Sequence, residues 1–294
     1  MSIAAAAAVG AAISGCSLVA GVPETEPPQF AESSIGHIHG LGISDSGDLF
    51  VATHTGVYRL PSGTRGGFDA LEGPIANNAQ DTMGFTMVDG TMFGSGHPDP
   101  TGTQSHLPSL GLITSTDEAQ TWEAVSLTGE ADFHDIAAVQ NSTGGHDVYA
   151  YDATAGSVQT SRDSGKSWAQ GATISARDLT FDTASSTLYA TTEDGVATST
   201  DGGTTFVSAE GPALYLAEAL NDGSGRLVGT DVSGAVWLKS PEGTWQETGK
   251  TSGQVAALAV RGGAQPLLVT ADARGVSTSE DFGATWQTLV TRTP

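Results

Sequence analysis

Seven histidines punctuate the chain (His37, His39, His54, His97, His106, His134 and His146), and none lies beyond residue 146. Imidazole titrates near neutrality and is the commonest metal ligand, so this crowding into one half of the chain points to a site. His37 and His39 stand in the segment GHIHGLG, two residues apart. In an extended strand residues at that spacing share a face, so both rings project the same way. With His54, His97 and His134 they form a candidate ligand set, and Asp81, Met83 and Asp99 are outer or alternate donors. Imidazoles with carboxylates and a thioether suit Zn(II), Cu(II) or Cu(I) better than Ca(II) or Mg(II), which prefer oxygen shells. No compact ligand motif such as HExxH is present. Histidines in a cleft also bind small organic ligands or glycans, so that reading stays open. Hydrolysis by paired carboxylates would draw on Asp81, Asp99, Asp135 and Asp178, but nothing in their spacing selects a pair. A GxSxG nucleophile elbow is absent.

These residues must be positioned by strands. Thirty-nine glycines with only 15% charged residues suit many short strands joined by tight turns. Four segments repeat at a period of roughly 40 residues: STDEAQTW (Ser115–Trp122), SRDSGKSW (Ser161–Trp168), STDGGTTF (Ser199–Phe206) and SEDFGATW (Ser279–Trp286). Asp117, Asp163, Asp201 and Asp281 are expected to accept backbone N–H groups inside the turn. The glycine supplies a positive φ, and the aromatic fills the space between neighbouring sheets. Ala119 replaces that glycine in the first copy, and a degenerate fifth copy, SPEGTW (Ser240–Trp245), lacks the aspartate.

The repeats resemble the Asp-box (BNR) repeats of sialidases, sortilin-type receptors and the photosystem II assembly-factor propellers. That resemblance implies an all-β fold, a β-propeller in which each box joins the third and fourth strands of a blade. Six inner strands are expected to open at HIHGLGIS, DTMGFTMV, FHDIAAV, ARDLTFD, LYLAEAL and QVAALAV, giving six blades, with seven as the alternative. In up-and-down blades the start of the inner strand and the end of the second share one face of the disc. His37, His39, His54, His97, His106 and His134 then fall on that face, and His146 on the other. A ring of His39, Thr82 or Met83, His134, Arg177, Tyr215 and Gln254 surrounds the channel mouth.

Sialidases hold the sugar carboxylate with an arginine triad, use a Tyr–Glu pair as nucleophile and an Asp as acid/base. The resemblance thus makes Asp135, Arg177 and Tyr215 the catalytic candidates, but the triad is not recognisable and no Glu pairs with Tyr215. The strings HIHGLGI, ATHTGVY, DTMGFT, GSGHPDP and EADFHDI make the chain similar to the lipid-anchored, sialidase-like propeller proteins of high-GC Gram-positive bacteria, often labelled glycosylhydrolases. A metal- or ligand-binding propeller, a glycoside hydrolase or glycan binder, and an envelope assembly scaffold are the three functions that follow.

Eleven basic against thirty-three acidic residues give a net charge of −22, which argues against a nucleic-acid partner and against docking on anionic lipid. The single cysteine, Cys16, follows an apolar run too short to span a bilayer. Ile13-Ser14-Gly15-Cys16 resembles a bacterial lipobox, although no Lys or Arg precedes the run. Residues 1–15 are therefore expected to be a signal peptide and 16–34 a lipid attachment point and Pro/Glu-rich tether. Residues 35–294 would form the propeller, a monomer on the outer face of the cytoplasmic membrane or in the envelope, with any contact to envelope proteins through the disc faces. Cys16→Ala should shift the protein from the membrane fraction to the medium, as judged by fractionation; unchanged partitioning would refute lipidation.

Overall fold

Residues 35–292 are described by a computed structural model. The expected signal peptide, Cys16 and the tether lie outside the described residues. Alternating apolar and small residues between glycine turns yield short antiparallel strands in six sheets, arranged as a six-bladed β-propeller.

The first sheet holds β1 (Ile38–Ile43), β2 (Leu49–Thr53) and β3 (Gly56–Leu60). The second holds β4 (Asp81–Val88), β5 (Thr91–His97), β6 (Leu112–Ser115) and β7 (Glu123–Ser126). The third comprises β8 (Phe133–Gln140), β9 (His146–Asp152), β10 (Ser157–Ser161) and β11 (Ala169–Thr173). The fourth comprises β12 (Asp178–Asp182), β13 (Thr187–Thr192), β14 (Gly195–Ser199) and β15 (Val207–Ser208). The fifth runs β16 (Leu216–Ala219), β17 (Leu227–Thr230), β18 (Ala235–Lys239) and β19 (Trp245–Lys250). The last runs β20 (Ala257–Arg261), β21 (Leu267–Asp272), β22 (Gly275–Ser279) and β23 (Gln287–Thr291). Each sheet pairs neighbours in chain order, and all six inner strands fall where the sequence places them.

The core lies between blades. Phe93 and Leu112 of the second blade pack with Phe133, Ile136 and Val148 of the third. Tyr149 and Val158 of the third meet Leu179 and Leu188 of the fourth. In each full repeat the serine hydroxyl and aspartate lock the turn: Ser161 Oγ donates to Asp163 Oδ1 (2.8 Å) and accepts from Gly165 N–H (2.8 Å). The N–H of Ser167 donates to Asp163 Oδ1 at 2.9 Å. Hydrogen bonds from Ser167 and Ser161 hold the Asp163 carboxyl down at about 2. The turn thereby aims the box aromatic into the joint with the preceding blade: Trp168 packs on Phe133 of its own inner strand with centroids 4.9 Å apart, and its indole N–H donates to Ser126 Oγ of the second blade at 2.9 Å. Ala119 takes the glycine's place at φ +65° with the turn bonds intact, its N–H donating to Ser115 Oγ at 2.9 Å. Its methyl is buried against the cluster of Phe50, Ala52 and Met92, so the interface makes use of the extra carbon.

The first blade has no box and, among the described residues, three strands, and its fourth position holds a single bridge between Arg59 and Glu72. The intervening excursion instead closes the ring. Gly66 N–H donates to Leu289 O (3.0 Å) and Gly66 O accepts from Thr291 N–H (2.8 Å). Phe68 and Leu71 pack into the cluster shared by the first and last blades, with Ile38, Val51, Val269 and Val290. The closing interface thus receives an aromatic from a loop where the other five receive one from a box or its degenerate copy. Trp168→Ala should lower the free energy of unfolding by about 3 kcal/mol, measured by denaturant titration, with ligand binding at the opposite face unchanged.

Candidate functional site

Three strand irregularities build the mouth. The register between inner and second strand shifts at Ile38/Gly40, Thr82/Gly84 and Phe133/Asp135. The extra residue is His39, Met83 or His134, the same structural position in three consecutive blades. A bulge of this kind bends the strand and re-aims a side chain. The residue two positions earlier is His37, Asp81 or Asp132, and across from it, at or just past the end of the second strand, stands His54, His97 or Ala153. Register also separates the two alternatives for the second blade: Thr82 is fully buried, and Met83 occupies the position of His39.

The side chains converge in two groups. His39 Nε2 lies 3.3 Å from His54 Nδ1 and 3.6 Å from Asp81 Oδ1, and His54 Nδ1 lies 2.9 Å from the same oxygen. The His37 ring centroid is 5.0 Å from that of His39 and 5.7 Å from that of His54. Donor atoms of His37, His39 and His54 lie within 4.8 Å of one another, so the three can hold a metal ion. In the other group, Asp132 Oδ2 accepts from His134 Nε2 at 3.0 Å and lies 3.7 Å from His97 Nε2. His97 Nδ1 faces Asp81 Oδ2 at 3.5 Å and so links the groups.

Burial pushes the His39 imidazole down to about 2, and repulsion from His54, His37, His134 and Arg177 adds to the effect. The ring is neutral at physiological pH and keeps a lone pair available. Desolvation opposes ionisation of Asp132, but the His134 hydrogen bond and the potential of His134 and His97 hold its carboxyl below the usual range.

Other candidates lie elsewhere. Asp99 caps its own loop, accepting from Ala79 N–H (3.0 Å), Thr101 N–H (2.7 Å) and Thr101 Oγ1 (2.7 Å). Neither Asp99 nor Met83 has a described contact with the imidazoles. His106 is exposed on the long loop after β5, and His146 opens β9 at the opposite face with its ring 5.1 Å from that of Phe93. The Arg177 guanidinium sits 4.4 Å above the Tyr215 ring at the mouth.

Asp135 serves the joint between blades, its Oδ2 accepting Leu179 N–H at 2.7 Å; Asp178 likewise accepts Ala217 N–H at 2.7 Å. Glu218, unnoticed in the sequence, joins them in the channel wall and accepts from Thr180 Oγ1 at 3.2 Å. Desolvation raises all three: Asp135 to about 7, Glu218 to about 8 with repulsion from Asp135 contributing, and Asp178 also upward. Asp132 was also missed. The x-spaced pairs His37/His39, Asp81/Met83 and Asp132/His134 carry a signal that would have found it. For Glu218 the signal is an acid on an inner strand of otherwise apolar residues.

The fold has solved counterparts at low identity. A gluconolactonase-like protein matches with TM-score 0.58 at 13% identity over 86% of this chain and 91% of its own. Virginiamycin B lyase from Staphylococcus aureus matches at 0.52 and 12% over 88% and 86%. A structure of YCF48 bound to D1 peptide matches at 0.50 and 18% over 85% and 81%. At such identities the shared feature is the β-propeller fold. No family model matches the chain and no curated protein matches it, so the likeness to Asp-box proteins rests on the repeat residues themselves.

The channel acids make a pH test. Their folded-state titration lies above the unfolded range, so the native state holds protons that the unfolded chain has released. That component of stability is complete below about pH 4 and declines as pH rises towards 8. Glu218→Gln should raise Tm at pH 8 by about 2–4 °C for each kcal/mol of relieved charge and leave Tm at pH 4 unchanged, as read by differential scanning fluorimetry at both pH values.

Proposed function

We propose that the mouth formed by the first three blades binds a divalent first-row transition-metal ion through His37, His39, His54 and Asp81. The observation that carries this reading is the triangle of His39 Nε2, His54 Nδ1 and Asp81 Oδ1, with edges of 3.3, 2.9 and 3.6 Å. Donors bound at 2.0–2.1 Å around a tetrahedral ion stand about 3.3 Å apart. Three imidazoles and one carboxylate match Zn(II) first and Cu(II) second. Neutral His39 needs no proton removed before it binds. His54, with a side chain 44% exposed, leaves the ion reachable from solvent, where it could polarise a ligand or activate water.

The protein would act as an exported, lipid-anchored monomer, on the strength of the lipobox-like stretch ending at Cys16 and the acidic composition. A glycan-acting or glycan-binding role is the second reading. It is supported by a cavity of about 330 Å³ lined by Asn77, Asn78, Gln80, Gln104 and Trp122, amides and an indole of the kind that hold sugar hydroxyls and ring faces. Contacts between the disc faces and envelope proteins form a third reading, and nucleic acid is not an expected partner.

Protein purified without a His-tag should contain bound metal by inductively coupled plasma mass spectrometry. The double substitution His37→Ala with His39→Ala should remove at least one ion per chain with the circular dichroism spectrum retained, because Ile38 and Leu41 keep packing the inner strand. His146→Ala should leave metal content unchanged.

A further inference from the structure

We propose a second metal site in the same mouth, formed by His97 Nε2, Asp132 Oδ2 and His134 Nε2 and separate in its donors from the first. The proposal rests on the metal-binding reading of the mouth and adds a second ion to it. Three observations carry it. The bulge register sets Asp132 and His134 where the first blade has His37 and His39, so the third blade repeats the donor spacing.

The carboxylate of Asp132 lies between two imidazoles, 3.0 Å from His134 Nε2 and 3.7 Å from His97 Nε2. Donor atoms around a bound ion of this class stand about 3.3 Å apart. His97 must turn to bring its Nε2 towards Asp132 Oδ2 and His134 Nε2, a movement open to a side chain that is 45% exposed. Asp132 is only 17% exposed, and its other oxygen, Oδ1, is buried without a hydrogen-bond partner. A buried carboxylate oxygen left so is costly unless a cation compensates it. The recorded ion-pair partners of Asp132 are imidazoles alone, with no Lys or Arg among the described residues.

Asp81 ties the two sites together. Its Oδ1 faces His39 and His54, and its Oδ2 faces His97 Nδ1 at 3.5 Å. A carboxylate behind the non-coordinating nitrogen of a histidine fixes the ring and its tautomer, so that Nε2 carries the lone pair. Asp81 would therefore be a ligand of the first ion and the orienting group for a ligand of the second. Two histidines and one carboxylate leave coordination positions open, the pattern of a site that admits a substrate or water.

The test is metal stoichiometry on the intact domain loaded with Zn(II), then Cu(II), and dialysed against metal-free buffer. Wild type should retain two ions per chain. His134→Ala, at a 40% exposed side chain that packing does not need, should retain one, and Asp132→Asn should do the same. The pair His37→Ala with His39→Ala should lose the other ion. In the Cu(II) form, wild type should show an electron paramagnetic resonance spectrum broadened by a nearby second spin, and His134→Ala the sharper spectrum of an isolated ion. One ion in wild type, kept by His134→Ala and lost in the His37/His39 pair, would overturn the second site and leave the first standing. One ion lost only in His134→Ala would overturn the first, and the two-site proposal with it. No ion in wild type would overturn both.

Discussion

A four-stranded antiparallel sheet of this size has two apolar faces and cannot bury either by itself. Everything else in the molecule follows from how those faces are covered. Twisted sheets stacked about an axis cover one another in turn, and six of them complete the circle. Each of five joints receives an aromatic from the box turn, or its degenerate copy, of the blade that follows. The sixth joint has no such turn, because the first blade lacks the repeat. The chain fills the gap with Phe68 and Leu71 and fastens it through the backbone of Gly66 to Leu289 and Thr291. Closure depends on side-chain packing and on the hydrogen bonds at Gly66, and among the described residues no strand is exchanged between the ends.

The same stacking places the chemistry. Inner strands start at one rim of the channel, so equivalent residues of successive blades meet there. A bulge in each of the first three inner strands brings forward His39, Met83 and His134, with His37, Asp81 and Asp132 beside them. The repeat that holds the fold is thus also the device that multiplies donors at the rim. Function and stability are separated by strand direction: the boxes lock turns at one end, and the imidazoles gather at the other.

Electrostatics divides the interior in a similar way. At the rim, His39 is kept neutral by burial among other positive or potentially positive groups. Deeper in, Asp135, Asp178 and Glu218 are pushed towards their protonated forms by desolvation and by one another. Two of these acids accept the N–H of the next inner strand, so they act as joints whose charge is disfavoured. The external surface carries the opposite tendency: Asp163 and Asp201 of the boxes are held ionised by hydroxyl and backbone donors.

How much was legible beforehand follows from the range of each interaction. The repeats, the six inner strands and the crowding of histidines on one face depend on short-range periodicity, and the amino-acid order alone determined them. Local chemistry also foretold the turn inside each box, since serine, aspartate and glycine bond within a few residues of one another. The partnership of His54 with Asp81, 27 residues away, is invisible to periodicity because it is made across a blade interface. Asp99 looked equal to Asp81 in type and position, yet a loop of its own chain took up its oxygens. Asp132 stood unnoticed two residues before His134, although that spacing repeats His37 and His39, and the bulge register puts it in the place of His37. Sequence determined which residues could serve as donors. Tertiary structure decided which of them meet, because convergence depends on the angle between stacked blades and on where each strand bends.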